Sequence, residues 1–216
     1  MKKMFLISFF IVSLLFTTIA PANKTFYISE NKLQKIALEY GKKARKRFEL
    51  WDKVMQSSKS KDILHKLKAV NDFWNKIRYK RDITVWRKND YWATPFQFLS
   101  VGAGDCEDYA IAKYFSLRQL GVAENKLRIT YVKLSRAGRK YEEAHMVLTY
   151  YHKPGATPIV LDNVNKKLKL ASSRNDLRPI YSFNAKGLWQ AKNRGKTAIK
   201  VGSNNLRNWK SLMSRI

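Results

Sequence analysis

Apolar residues recur at three- and four-residue steps from Ser29 to about Gln56, at Leu33, Ile36, Ala37, Tyr40, Ala44, Phe48 and Trp51, opposite a lysine and arginine face. That period predicts one amphipathic helix capped by Ser29. A break at Ser57-Ser58-Lys59-Ser60 precedes a second stripe of Ile63, Leu64, Leu67, Val70, Trp74 and Ile77, a second helix ending near Tyr79. From 80 to 100 the pattern lapses. The Thr94-Pro95 pair disfavours a helix through that point, so a loop is expected, with at most a short helical turn at its end. Gly102 and Gly104 then lead into Asp105-Cys106-Glu107-Asp108. Tyr109, Ala110, Ile111, Tyr114, Leu117 and Leu120 follow at helical spacing, stopped by Gly121. This third helix should be largely buried.

Beyond it the period shortens to that of strands, over 127–134, 145–151, 159–161, 180–183 and 187–191, and a short helix is expected in 205–216. Helices followed by strands indicate an α+β class, with N-terminal helices and an antiparallel sheet. The turn-rich run His152-Lys153-Pro154-Gly155-Ala156-Thr157 lies between two strand-like segments, which makes a β-hairpin the simplest local structure. With the turn centred between Pro154 and Gly155, residue 145 pairs near 164 and residue 162 near 147. His145 and Asp162 then lie opposite or diagonal, roughly 5–8 Å apart.

Composition adds a destination. Lys2 and Lys3, an apolar run of about 16 residues from Met4 to Ile19, and Ala20-Pro21-Ala22 match the layout of a secretory leader. The run is short of the roughly 20 residues a membrane-spanning helix needs, so a permanent anchor is the weaker alternative. Residues 1–22 are expected to be a signal peptide and 23–216 a single domain. No repeat or linker divides the chain, and 45% apolar with 13% aromatic residues excludes disorder. The formal charge of +27 attracts polyanions but does not choose among nucleic acid, anionic lipid and an acidic protein.

Exported proteins usually carry cysteines in pairs, yet Cys106 is alone. A buried, inert core cysteine is the bland account. Its neighbourhood argues otherwise, because the first turn of a helix stabilises a thiolate through its free N–H groups and macrodipole. Asp105, Glu107 and Asp108 oppose this, since carboxylates beside a sulfur raise its pKa. A divalent cation would resolve the conflict by cancelling their charge. Oxygen donors and an extracytoplasmic setting favour Ca2+, with Asp105 and Glu107 as leading ligands. Asp108 can equally be an ordinary first-turn acid.

The thiol needs a base, and the chain offers His65, His145 and His152. His145 alone has a carboxylate neighbour, Asp162, across the hairpin. His152 lies at the closed end, roughly 23 Å away at strand rise, and His65 sits on an amphipathic helix. An imidazole oriented by an acid and aimed at a helix-start thiol is the arrangement a cysteine nucleophile requires.

Trp92-Ala93-Thr94-Pro95, the run from Gly102 to Tyr114, Ala144-His145-Met146-Val147-Leu148 and Leu161-Asp162-Asn163 together resemble the LapG-type bacterial transglutaminase-like cysteine proteases, over roughly residues 30–190. The resemblance implies a papain-like core, a triad of Cys106, His145 and Asp162, and calcium held by Asp105 and Glu107 with Asp108 nearby; Asn163 and Asn165 are further candidate oxygen ligands. The backbone N–H of Cys106 would belong to the oxyanion hole, with Trp92 as a neighbour. The resemblance also implies a periplasmic enzyme that clips the N-terminal region of a large surface adhesin at paired alanines and disperses biofilm, held in check by an inner-membrane cyclic di-GMP receptor; separately, a monomer is expected. Nucleic acid is not an expected partner. Gln97, where the family pattern has a glutamate, is a departure. A transglutaminase or amidase with the same triad, and a non-catalytic basic binding module, are the competing readings.

Overall fold

The computed structural model describes residues 28–191 and 198–216; the expected leader lies outside them. Helices α1 (Glu30–Tyr40), α2 (Lys42–Ser58) and α3 (Ile63–Trp74) are followed by β1 (Arg78–Tyr79), α4 (Asp82–Val85), α5 (Pro95–Val101), β2 (Ala103–Gly104) and α6 (Cys106–Gln119). Strands β3 (Leu127–Ser135), β4 (Glu142–Tyr150), β5 (Ile159–Leu161), β6 (Lys169–Leu170), β7 (Leu177–Asn184), β8 (Gly187–Gln190) and β9 (Ile199–Gly202) precede α7 (Arg207–Met213). This is the expected α+β arrangement, a layer of helices on an antiparallel sheet.

Three expectations are corrected, the first being the second helix, which ends at Trp74 rather than near Tyr79, with Arg78–Tyr79 in strand β1. The single helix over 29–56 is two, because Gly41 takes φ 85°, a left-handed value that no helix accommodates. Ser29 caps the first as expected, accepting from the Lys32 N–H. Arg45 of α2 donates to both carboxylate oxygens of Glu30 of α1, at 2.8 and 3.0 Å, across the break. The apolar stripe runs on through the bend, which is why periodicity concealed it.

The segment 80–100 holds two short helices. Thr94-Pro95 starts α5 rather than preventing it, since proline at the first helical position loses no hydrogen bond. Thr94 Oγ1 accepts from the Gln97 N–H at 3.2 Å, and the Thr94 N–H donates to Gln97 Oε1 at 2.9 Å, a closed capping box. Gln97 therefore does locally what a glutamate would, because an amide oxygen accepts as a carboxylate does.

The sheet runs β6-β5-β4-β3-β7-β8-β9, each neighbouring pair antiparallel. Helix α6 packs across β4 and β3, and α3 and α5 pack against α6. Trp74 is the pivot: its ring stacks on Phe98 at 5.4 Å and its Nε1 donates to Ser116 at 2.9 Å. A buried aromatic of this kind contributes its apolar area while its N–H still finds an acceptor. Alternation along β4 divides the sheet faces. Met146, Leu148 and Tyr150 join the helices in the main core, whereas Val147 packs with Val132, Leu134, Val160 and Leu177 on the other face.

The β4–β5 register is Leu148↔Leu161, Thr149↔Val160 and Tyr150↔Ile159, which extends to place 162 opposite 147, as the turn analysis expects. Asn75, at the end of α3, donates to the Asp162 carbonyl at 2.8 Å and so fastens the start of the loop after β5 to the helical layer.

Candidate active site

Cys106 is the first residue of α6, reached through the short parallel pairing of β1 with β2. Gly104 is required by space rather than by torsion. A Cβ there would lie 2.2 Å from Asp108 Oδ2 and 2.9 Å from Phe98. Asp108 is fully buried and has no room to retreat, because its oxygens accept from the Ala93 N–H at 2.8 Å and the Asp105 N–H at 3.3 Å. Gly104→Ala is therefore expected to cost about 1–3 kcal/mol of stability through overpacking, to be read from urea unfolding midpoints at unchanged m-value. A neutral result would show that α6 can shift at its first turn.

The sulfur has two polar contacts that pull in opposite directions. Cys106 Sγ donates to Glu107 Oε2 at 3.1 Å. Burial first, then the negative charge of Glu107 and Asp105, pushes the thiol well above its ordinary range, while the Met146 N–H favours the thiolate. That N–H belongs to the residue after His145, so β4 passes directly beside the helix start.

His145 is 4% and Asp162 1% exposed, and His145 Nε2 lies 2.8 Å from Asp162 Oδ1. The same oxygen accepts from the Val164 N–H at 2.9 Å, and Oδ2 is held by Arg174 Nη2 at 2.7 Å. Burial works to raise the Asp162 carboxyl, but these donors outweigh it and hold it far below the usual range. The acid is ionised and immobile, and it anchors the imidazole by one nitrogen. His65 and His152 are exposed on the surface, as expected.

An open cleft of about 550 Å3 brings these groups together. Tyr79, Asp82, Asp105, Cys106, Glu107 and His145 all line it, and Trp92 forms part of its wall. Asp82 is the residue the sequence reading missed. It opens α4, is 1% exposed, and lies with Asp90 and Glu107, and again with Asp105 and Asp108, so that one oxygen of each falls within 4.8 Å of the others. Burial, with Asp105 and Asp90 adding to it, drives Asp82 up to about 7, against the pull of the Tyr91 N–H. Burial and Glu107 drive Asp105 to about 8. Asp82 Oδ1 and Asp105 Oδ1 are buried without a hydrogen-bond partner. Oxygens so placed, converging from α4 and α6, suit a hard divalent cation. Asp108 stands behind this group, away from the cleft lining, and ties residue 93 to the start of α6. Asn163 and Asn165 do not line the cleft, and Asn165 Oδ1 accepts from the Lys167 N–H. The only sequence signal for Asp82 is an acid opening a short helix, which many structural acids share.

The sequence model of the family described as bacterial transglutaminase-like cysteine proteinase BTLCP matches residues 38–187. Among solved structures, EGTA-treated Legionella pneumophila LapG is 43% identical, with a TM-score of 0.72 over 87% of this chain and 97% of that one. Calcium-bound Legionella pneumophila LapG is likewise 43% identical, with a TM-score of 0.71 over 87% of this chain and 99% of that one. A search of curated proteins returned no match.

Proposed function

This chain belongs to the family of bacterial transglutaminase-like cysteine proteinases and is a cysteine peptidase, and from that premise we propose that it is a calcium-dependent periplasmic endopeptidase with Cys106, His145 and Asp162 as its triad. Its substrate is the N-terminal region of a large surface adhesin, cut at paired alanines, which releases the adhesin and disperses biofilm. An inner-membrane receptor that senses cyclic di-GMP holds it inactive, and it acts as a monomer. The observation that carries the reading is a buried, ionised Asp162 fixing His145 on the strand that passes beside a helix-start thiol.

Because Nε2 of His145 faces Asp162, Nδ1 is the nitrogen left to exchange a proton with Cys106. The sulfur attacks the scissile carbonyl as that proton moves to His145, and the Cys106 N–H, at the unpaired start of α6, donates to the developing oxyanion. His145 then gives the proton to the departing amine. The thioester is hydrolysed by a water that His145 deprotonates, which returns the thiol. The Met146 N–H supports the thiolate throughout. Asp82, Asp105 and Glu107, with Asp90 at the rim, are the residues that would hold calcium; bound there, it supplies positive charge that offsets the carboxylates beside the sulfur.

The test is cleavage of an adhesin N-terminal fragment from the same bacterium by purified residues 23–216, with and without chelator, followed on a gel and by mass of the products. Two fragments with a free carboxylate and a free amine at the cut, formed with calcium alone, are expected. Incorporation of an added amine without chain scission would instead assign acyl transfer.

A further inference from the structure

On the sheet face turned away from α6 lies a second cavity, of about 410 Å3, in the size range of small-molecule sites. Val132, Val147, Val160 and Leu177 form apolar walls, and Arg128 and Arg174 line it as well. Both arginines have a nitrogen to spare. Arg174 is 3% exposed; Asp176 takes its Nε and Nη2 at 2.8 and 2.7 Å and Asp162 takes Nη2 at 2.7 Å, but Nη1 is buried with no hydrogen-bond partner. Arg128 packs its guanidinium on Trp189 at 4.0 Å and Tyr151 at 4.7 Å, and its Nε is also buried and unpartnered. Among the described residues no carboxylate pairs with Arg128.

Guanidinium charge that lines a partly desolvated cavity with no carboxylate of its own favours an anion there. The valine and leucine walls require that the anion carry an apolar body, which inorganic phosphate lacks. We propose that this cavity binds a small amphipathic carboxylate, its headgroup drawn to the guanidinium of Arg128, which lines the cavity with no carboxylate beside it, and its apolar body lying along the valines. Arg174 makes the site more than a store, since the same guanidinium grips Asp162 on the side away from His145. An anion in the cavity beside Arg174 competes for the charge that holds Asp162, so occupancy of the cavity and the position of the acid are linked, and the linkage runs both ways. The link to activity, though not the binding itself, rests on the protease reading.

Octanoate is the probe, with octanol and inorganic phosphate as its neutral and headless counterparts, and thermal unfolding of residues 23–216 is the readout, independent of any cleavage. Octanoate at tenfold excess over its Kd is expected to raise Tm by about 3–6 °C, saturably. Octanol and phosphate should do neither. Arg128→Leu removes the effect, and so does Ala156→Trp, which blocks the cavity from its turn while leaving both arginines in place. Asp162→Asn, which frees charge on Arg174, is expected to bind octanoate about fivefold more tightly or better. No shift with octanoate, or an equal shift with octanol, would overturn the site. An unchanged Kd in Asp162→Asn would overturn the coupling to the acid.

Discussion

Cys106→Ala is expected to lower kcat/KM for fragment cleavage by at least ~10^4, to the level of the buffer reaction, because no other group in the cleft can form the thioester. The loss should come without unfolding. The thiol's hydrogen bond goes to Glu107, which also has Asp105 as a hydrogen-bond partner and lines an open cleft where water can replace the donor. A melting temperature within a few degrees of the parent separates a lost nucleophile from a lost fold. Cys106→Ser is expected to fare almost as badly, since a hydroxyl beside those carboxylates is far harder to ionise than a thiol. Retention of even one hundredth of the parent rate in Cys106→Ala would remove the nucleophile from its assignment.

Calcium removal is the second large effect, and it should be visible in stability as well as in cleavage. Asp82 at about 7, Asp105 at about 8 and a raised Glu107 are carboxyls that the native state wants protonated. In the unfolded chain they titrate near ~4. Between those values the native state binds more protons, so the chelated protein loses stability as pH rises from about 4 to 8. Asp108, which burial and Asp105 also raise, titrates with them as one set, so the individual shifts do not add, and a fall in Tm of roughly 6–12 °C is expected. A bound cation favours the ionised forms and flattens this slope. Asp162 behaves in the opposite way: its carboxyl is lowered, so its contribution is present above ~4 and is lost only as pH falls below that, through its folded value. Thermal melts from pH 5 to 8 with calcium and with chelator give the comparison, and superimposable curves would exclude the cluster as the cation site. Asp82→Asn should weaken the calcium response by about 10–100-fold.

Asp82 also shows where reading the chain stops. Its partners Asp105 and Glu107 are legible as a group because they are adjacent in sequence to the cysteine they influence. Asp82 joins them only because α4 and the β1–β2 pair bring residues 82 and 105 together. Arg174 is similar: nothing about a surface-like arginine after β6 suggests that it neutralises the acid behind His145. The bend at Gly41 was hidden by a stripe that continues through it, and α5 by a proline that begins a helix as readily as it ends one.

The sequence by itself determined the α+β order of elements, the placement of Cys106 at a helix start, and the hairpin register that pairs His145 with Asp162. Periodicity and turn chemistry act over a few residues, and those features need nothing longer. Tertiary structure decided which polar groups share a desolvated volume. It joined Asp82 to the acids around the sulfur, turned Asp108 inward to hold residue 93, and set Arg174 between Asp162 and a second cavity. Desolvation and charge act through space, between groups that the chain separates and only the packed fold brings within a few ångströms.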